Sequence, residues 1–142
     1  MVTLVRRVGK LCELRYLPPF THEDSMQLLP QMGQLVDRAT GPLVFCTDLR
    51  PMRGFSKPLL DSIIWRLRRN NPKVCAAGSI VSTPHVFRLM ERVAAEARNP
   101  MRRVFSNVND LRDFLDPFLT PAERVQRDVF LDEFQADEGA HP

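Results

Sequence analysis

Hydrophobic and polar positions alternate twice near the start of the chain. Over 2–8, Val2, Leu4 and Val8 fall on one side, with Thr3 and Arg7 on the other. Over 11–17, Cys12, Leu14 and Tyr16 oppose Glu13 and Arg15. A period of two over such short runs predicts two half-buried strands. Gly9, between them, accepts the positive φ of a tight turn, so the pair reads as an antiparallel hairpin. Pro18-Pro19 ends the second strand. The period then changes. Thr21, followed by Glu23 and Asp24, reads as a capped helix start. Leu28, Met32, Leu35, Val36 and Ala39 recur at three- and four-residue steps, one apolar helical face. Pro30 inside that face predicts a kink or a late start. Gly41-Pro42 closes the segment.

Leu43 to Thr47 is a continuous apolar run ending in Asp48, the pattern of a strand covered on both faces. After the loop Arg50 to Phe55, Ser56 is a good N-cap, and Leu60, Ile63, Ile64 and Leu67 form the inner face of a second helix. Arg66, Arg68 and Arg69 complement the dipole at what reads as a solvated helix end, and Trp65 is expected to pack. The unit repeats: a strand over Val74 to Val81, then a helix opened by Thr83-Pro84 with Val86, Phe87, Met90, Val93, Ala94 and Ala97 inward. A short strand over 101–105 follows, nearer an edge, with Arg102 and Arg103 on opposite faces. Asn107 opens a helix carrying Leu111, Phe114, Leu115 and Phe118. Thr120-Pro121-Ala122-Glu123 is a capping box with Pro at the first helical position. It starts an acidic helix carrying Val125, Val129 and Phe134, and a loose tail is expected over 137–142. Strands alternating with helices predict an α/β fold with a mixed, mostly parallel sheet of about five strands and right-handed crossovers.

The chain has 142 residues, the size of one domain. No apolar run approaches the roughly 18 residues of a membrane helix, and the N-terminal stretch does not read as a signal peptide. Membrane insertion is therefore not expected, and a cytoplasmic location is. The net charge of +3 divides unevenly. From Pro121 onward six acids face two bases, which is −4 there and +7 over residues 1–120. A basic body attracts acidic partners. No nucleic-acid reading motif accompanies the charge, and only Lys10, Lys57 and Lys73 are lysines, so nucleic acid is not the favoured partner. Cys12, Cys46 and Cys75 are odd in number and widely spaced, which indicates buried free thiols and neither zinc nor a disulfide framework.

The chemistry-bearing motifs are few. No G-x-S-x-G elbow and no phosphate-cradling glycine loop occurs, and His22 and His85 read as residues at helix starts. Asp48 is the one acid at a central strand end. A phospho-accepting Asp of the receiver type needs further acids to hold Mg²⁺, and the first strand ends Arg6-Arg7-Val8 without them. Asp48 is thus expected to fix the following loop through its own backbone bonds. The residues call for no catalytic group, no metal and no cofactor.

The stretch from Gly41 to Leu60, an apolar strand ending Asp48-Leu49, a loop, and a helix beginning at Ser56 with Leu59-Leu60, follows the opening hairpin and helix in an order that resembles the STAS domain, the fold of anti-sigma-factor antagonists. The resemblance spans residues 1–118, with 119–136 as an added acidic helix and 137–142 as tail. It implies a STAS-like mixed sheet with helices mainly on one face. It also implies a non-enzymatic regulatory module that binds a protein partner: a regulator, a kinase or an assembly component of bacterial signalling. In the family the second helix typically begins Asp-Ser-(Ser/Ala)-Gly, and in partner-switching members that serine is phosphorylated, while many STAS-like proteins lack it and look like plain docking modules. Here the stretch reads Phe55-Ser56-Lys57-Pro58-Leu59, which leaves Ser56 as the candidate phosphosite or as a plain N-cap. By the same resemblance the partner-binding residues are Asp48, Arg50, Arg53, Phe55, Ser56 and Lys57. Two other classes stand beside it. A lipid- or small-ligand-binding module would show a ligand-sized cavity. An accessory subunit would show a flat apolar patch near Trp65 or Phe134. The acidic helix either packs on the basic body or supports a homo-oligomer.

Overall fold

The computed structural model describes residues 4–139. Val2, Thr3 and residues 140–142 lie outside the described residues. The strands are β1 (Leu4–Val8), β2 (Leu11–Arg15), β3 (Leu43–Asp48), β4 (Val74–Ile80) and β5 (Arg102–Phe105). The helices are α1 (His22–Asp37), α2 (Lys57–Asn70), α3 (Pro84–Ala97), α4 (Val108–Leu115) and α5 (Pro121–Gly139). α5 extends past Asp137, where a tail was expected.

The strands lie in the order β1-β2-β3-β4-β5. β1 is antiparallel to β2, and the remaining pairs are parallel. Each parallel strand is added on the same side of the last. Right-handed crossovers then place α1, α2 and α3 on one face of the sheet. The first core lies there: Leu14, Phe45 and Ala77 from the strands meet Met32, Ile63 and Met90 from the helices. α4 and α5 cover the other face, where Leu11, Val44, Cys46, Ala76 and Ile80 meet Leu111, Leu115, Phe130 and Leu131. Gly78 permits the closest approach there, since a Cβ on it would collide with the Leu111 side chain.

The helix starts follow the side-chain caps the sequence contains. Thr21 accepts from Asp24 N at 3.1 Å and Thr83 accepts from Val86 N at 3.2 Å. Asn107 accepts from Asn109 N at 2.8 Å and Thr120 accepts from Glu123 N at 3.2 Å. α1 begins directly after Thr21 and runs through Pro30, whose ring lies on the exposed side. A late start is thereby ruled out.

At the level of faces three expectations change, for β2, Trp65 and Arg66, and the face of α5 is set. β2 is buried along its whole length, including Glu13 and Arg15, because α5 covers the side left for solvent. α5 turns Glu123, Arg127, Phe130 and Leu131 inward, while Val125 and Val129 are 64% and 49% exposed. Trp65 is 53% exposed instead of packed, with Arg69 stacked over its ring at 5.6 Å. Arg66 is buried, whereas Arg68 and Arg69 are solvated as expected.

Candidate functional site

The loop between β3 and α2 is held from below by Asp48. This carboxylate is fully buried at the strand end. Its Oδ1 accepts from Arg50 N at 3.0 Å and from Arg50 Nε at 2.9 Å. Its Oδ2 accepts from Arg15 Nε at 2.8 Å and from Arg50 Nη2 at 3.1 Å. The bond to the amide two residues on is the Asx-type turn expected of a strand-end Asp. Two arginines share one carboxylate, and their remaining donors reach into α5. Arg50 Nη2 donates to Leu131 O at 2.8 Å and Arg15 Nη2 donates to Phe130 O. Arg15 stacks over the Phe130 ring at 4.4 Å and Arg50 over Phe134 at 4.8 Å. Glu133 meets Arg15 at 3.4 Å and so adds a second acid to the pair of cations.

The upper side of the loop is fastened to the turn after β4. Arg53 Nη1 donates to Arg50 O at 2.9 Å and to Ser82 Oγ at 3.0 Å, and Ser82 Oγ donates to Arg50 O at 2.6 Å. Met52 is buried and Phe55 half-buried against the first core. Ser56 caps α2, accepting from Leu59 N at 3.4 Å, and is exposed. Lys57 is exposed and pairs with Asp61 at 3.0 Å across one helical turn.

The six residues of the proposed docking set therefore divide. Arg53, Phe55, Ser56 and Lys57 stand at or near the surface. Asp48 and Arg50 lie beneath it under α5, where they hold the loop and do not face outward. Sequence reading does not find Arg15, Glu133, Phe130 or Phe134 as the partners that complete this network. Arg15 lies 33 residues from Asp48 and Phe130 115 residues from Arg15, and local spacing carries no signal over such separations. The strict alternation of Glu13 and Arg15 in an otherwise apolar β2 was the available hint, since it places two charges on one face.

Reactive chemistry is thin around the loop. His85 is exposed at the start of α3, next to Gly54, and His22 is exposed at the start of α1. Burial pushes the Cys12 thiol up to about 12 and also raises Cys46 and Cys75, so none is a ready thiolate at neutral pH. Among the described residues no group of three His, Cys, Asp or Glu is placed to hold a metal ion. Among them, too, no helix is long and apolar enough to cross a membrane.

No known family profile matches the chain, and no curated protein matches it. Among solved structures it is similar to an uncharacterized protein of the DUF3478 family with a SpoIIAA-like fold, from Shewanella loihica PV-4. The TM-score is 0.62 at 17% identity, over 80% of this chain and 92% of that one. The class follows from the sheet order and this likeness: the chain has the SpoIIAA-like fold, which is the STAS, anti-sigma-antagonist fold. In this chain α5 packs over the sheet face that carries Asp48.

Proposed function

We propose that this STAS-type chain is a non-enzymatic regulatory module of bacterial cytoplasmic signalling, docking a protein partner through Arg53, Phe55, Ser56 and Lys57. The observation that carries this reading is the loop itself. It is pinned on its inner side by Asp48 and Arg50 and on its outer side by Ser82, yet presents Arg53, Ser56 and Lys57 to solvent. A loop already held in one conformation loses little freedom on binding. Its charge suits an acidic partner surface. The partner classes are a regulator, a kinase acting on Ser56, or another component of an assembly. A phosphate on Ser56 would sit at the N-terminus of α2, beside Arg53 and Lys57, where free amides and cations favour negative charge.

The test is affinity capture from the native host with the wild type and three variants: Ser56→Ala, Ser56→Asp, and the charge reversal Arg53→Glu with Lys57→Glu. The charge reversal is expected to remove at least one bound protein that Ser56→Ala retains. Identical bound proteins for all four forms would refute the docking surface.

A further inference from the structure

Two arginines lie beneath α2 without an acid to pair with among the described residues. Arg66 points inward from the third turn of α2 and is 5% exposed. Its Nη2 donates to the Tyr16 hydroxyl, and its guanidinium lies 5.9 Å from the centre of the Tyr16 ring. Its Nη1 is buried and has no hydrogen-bond partner. Arg102 enters the same layer from β5. Its Nε donates to Asn71 Oδ1 at 2.9 Å and its Nη2 to Leu67 O at 3.1 Å. Every one of these acceptors is neutral. Burial, together with the positive charge of Arg66, pulls Arg102 down to about 10. Two cations share a poorly solvated space, and buried charges of this kind are ordinarily paired.

The same two arginines line two neighbouring cavities between the sheet and the helices, of about 60 and 30 Å³, with Thr47 and Leu67 common to both. Tyr16, Thr47 and Ser79 line the larger cavity, and Ile63, Met90 and Val93 give it an apolar wall. The larger one is partly open, and since a closed cavity of about 150 Å³ takes benzene, only a small ligand of a few non-hydrogen atoms fits. That is too small for a long acyl chain.

We propose that this cavity is a binding site for a small monocarboxylate with a short alkyl tail, its carboxylate paired with Arg66 and Arg102 and its tail against Ile63, Met90 and Val93. A carboxylate supplies the acceptor that Arg66 Nη1 lacks, and its planar pair of oxygens matches a guanidinium edge. The alkyl end accounts for the apolar wall, which an inorganic anion would leave unused. The site is independent of the docking surface: either can fail without the other.

The experiment uses the full chain in chloride-free buffer, titrated with butyrate, n-butanol and inorganic phosphate and followed by amide and arginine Nε resonances. Butyrate is expected to shift the Nε signals of Arg66 and Arg102 and the amides of Thr47 and Ser79. Loss of the charge in n-butanol, or of one arginine in Arg66→Gln or Arg102→Gln, is expected to weaken binding by about tenfold or more. Should a variant not fold, the comparison of butyrate with n-butanol on the wild type decides alone. The site is overturned if butyrate moves none of these resonances at roughly tens of millimolar. It is also overturned if phosphate or n-butanol binds as tightly as butyrate, or if both folded variants bind butyrate undiminished.

Discussion

Gly9 holds a φ of +61° at the β1–β2 turn, and a Cβ there would collide with the Glu123 carboxylate. That carboxylate cannot give way cheaply. Its Oε1 accepts from Thr120 N and its Oε2 from Lys10 N, each at 2.8 Å. One residue thus closes the capping box of α5 and staples that helix to the hairpin. Gly9→Ala is expected to lose about 1–2 kcal/mol to backbone strain alone. The loss should be larger with Glu123 present than in a Glu123→Ala background, as a double-mutant cycle in urea would show. Glu13 and Glu123 should respond to pH in opposite senses. Burial raises the Glu13 carboxyl, against the opposing bond from Arg6 Nε at 2.7 Å. For Glu123, burial also pushes upward, but the Thr120 and Lys10 amides outweigh it and hold the carboxyl below its usual range. A raised carboxyl binds its proton more tightly in the folded state, so ionised Glu13 weakens the fold at neutral pH and the penalty fades as pH falls through its folded value. Glu123 contributes stability above the ordinary carboxylate range and loses it as pH falls through its own lowered value. Relative to wild type, Glu13→Gln should therefore gain most at pH 7 and lose that gain on acidification, whereas the deficit of Glu123→Gln should shrink. Urea melts at several pH values check both, and a pH-independent offset in either variant would refute its assignment.

At the scale of elements, α5 shows how a helix with a weak apolar stripe chooses its face. Val125 and Val129 are one turn apart and would serve as a seam, yet both face solvent. The buried face combines Phe130 and Leu131 with Glu123 and Arg127. Arg127 Nη1 meets Asp116 at 2.6 Å and also donates to Arg112 O at 3.2 Å, so its charge is compensated as it is buried. Two large side chains with satisfied ionic neighbours outweigh two valines, because burial free energy follows apolar area. Phe130→Ala is expected to cost about 3–5 kcal/mol. Val125→Ala should stay within about 0.5 kcal/mol of wild type. Equal costs in thermal or urea unfolding would mean that α5 sits the other way round. Much at this scale was readable in advance. Thr21, Ser56, Thr83, Asn107 and Thr120 each open a helix, and the alternation of strands and helices leads to the observed sheet once crossovers are right-handed. The faces were less readable. On α2, the buried positions Leu59, Ile63, Arg66 and Asn70 share one stripe, so spacing places Arg66 inside although its charge argues for solvent.

For the molecule as a whole, Asp48 is the junction. It joins β2 through Arg15, the β3–α2 loop through Arg50, and α5 through the carbonyls those arginines reach. Removing it leaves two buried cations, with Glu133 as the remaining acid at 3.4 Å from Arg15. Asp48→Ala is expected to cost about 3–5 kcal/mol. Hydrogen exchange should quicken in α5 and in residues 49–56 together. Faster exchange in the loop alone would show that α5 is held independently.

What the sequence alone determined is what depends on neighbours a few residues apart: the caps, the helical and strand periods, the Gly9 turn, the loop-fixing bond of Asp48, and through them the STAS-type order of elements. Tertiary structure decided which charges would be buried. Glu13, Arg15, Asp48, Arg50 and Arg127 lie inside because each meets its partner there, several across more than 80 residues of chain. A charge enters the interior when a partner awaits it, and such a partner is fixed by the fold and not by proximity in sequence.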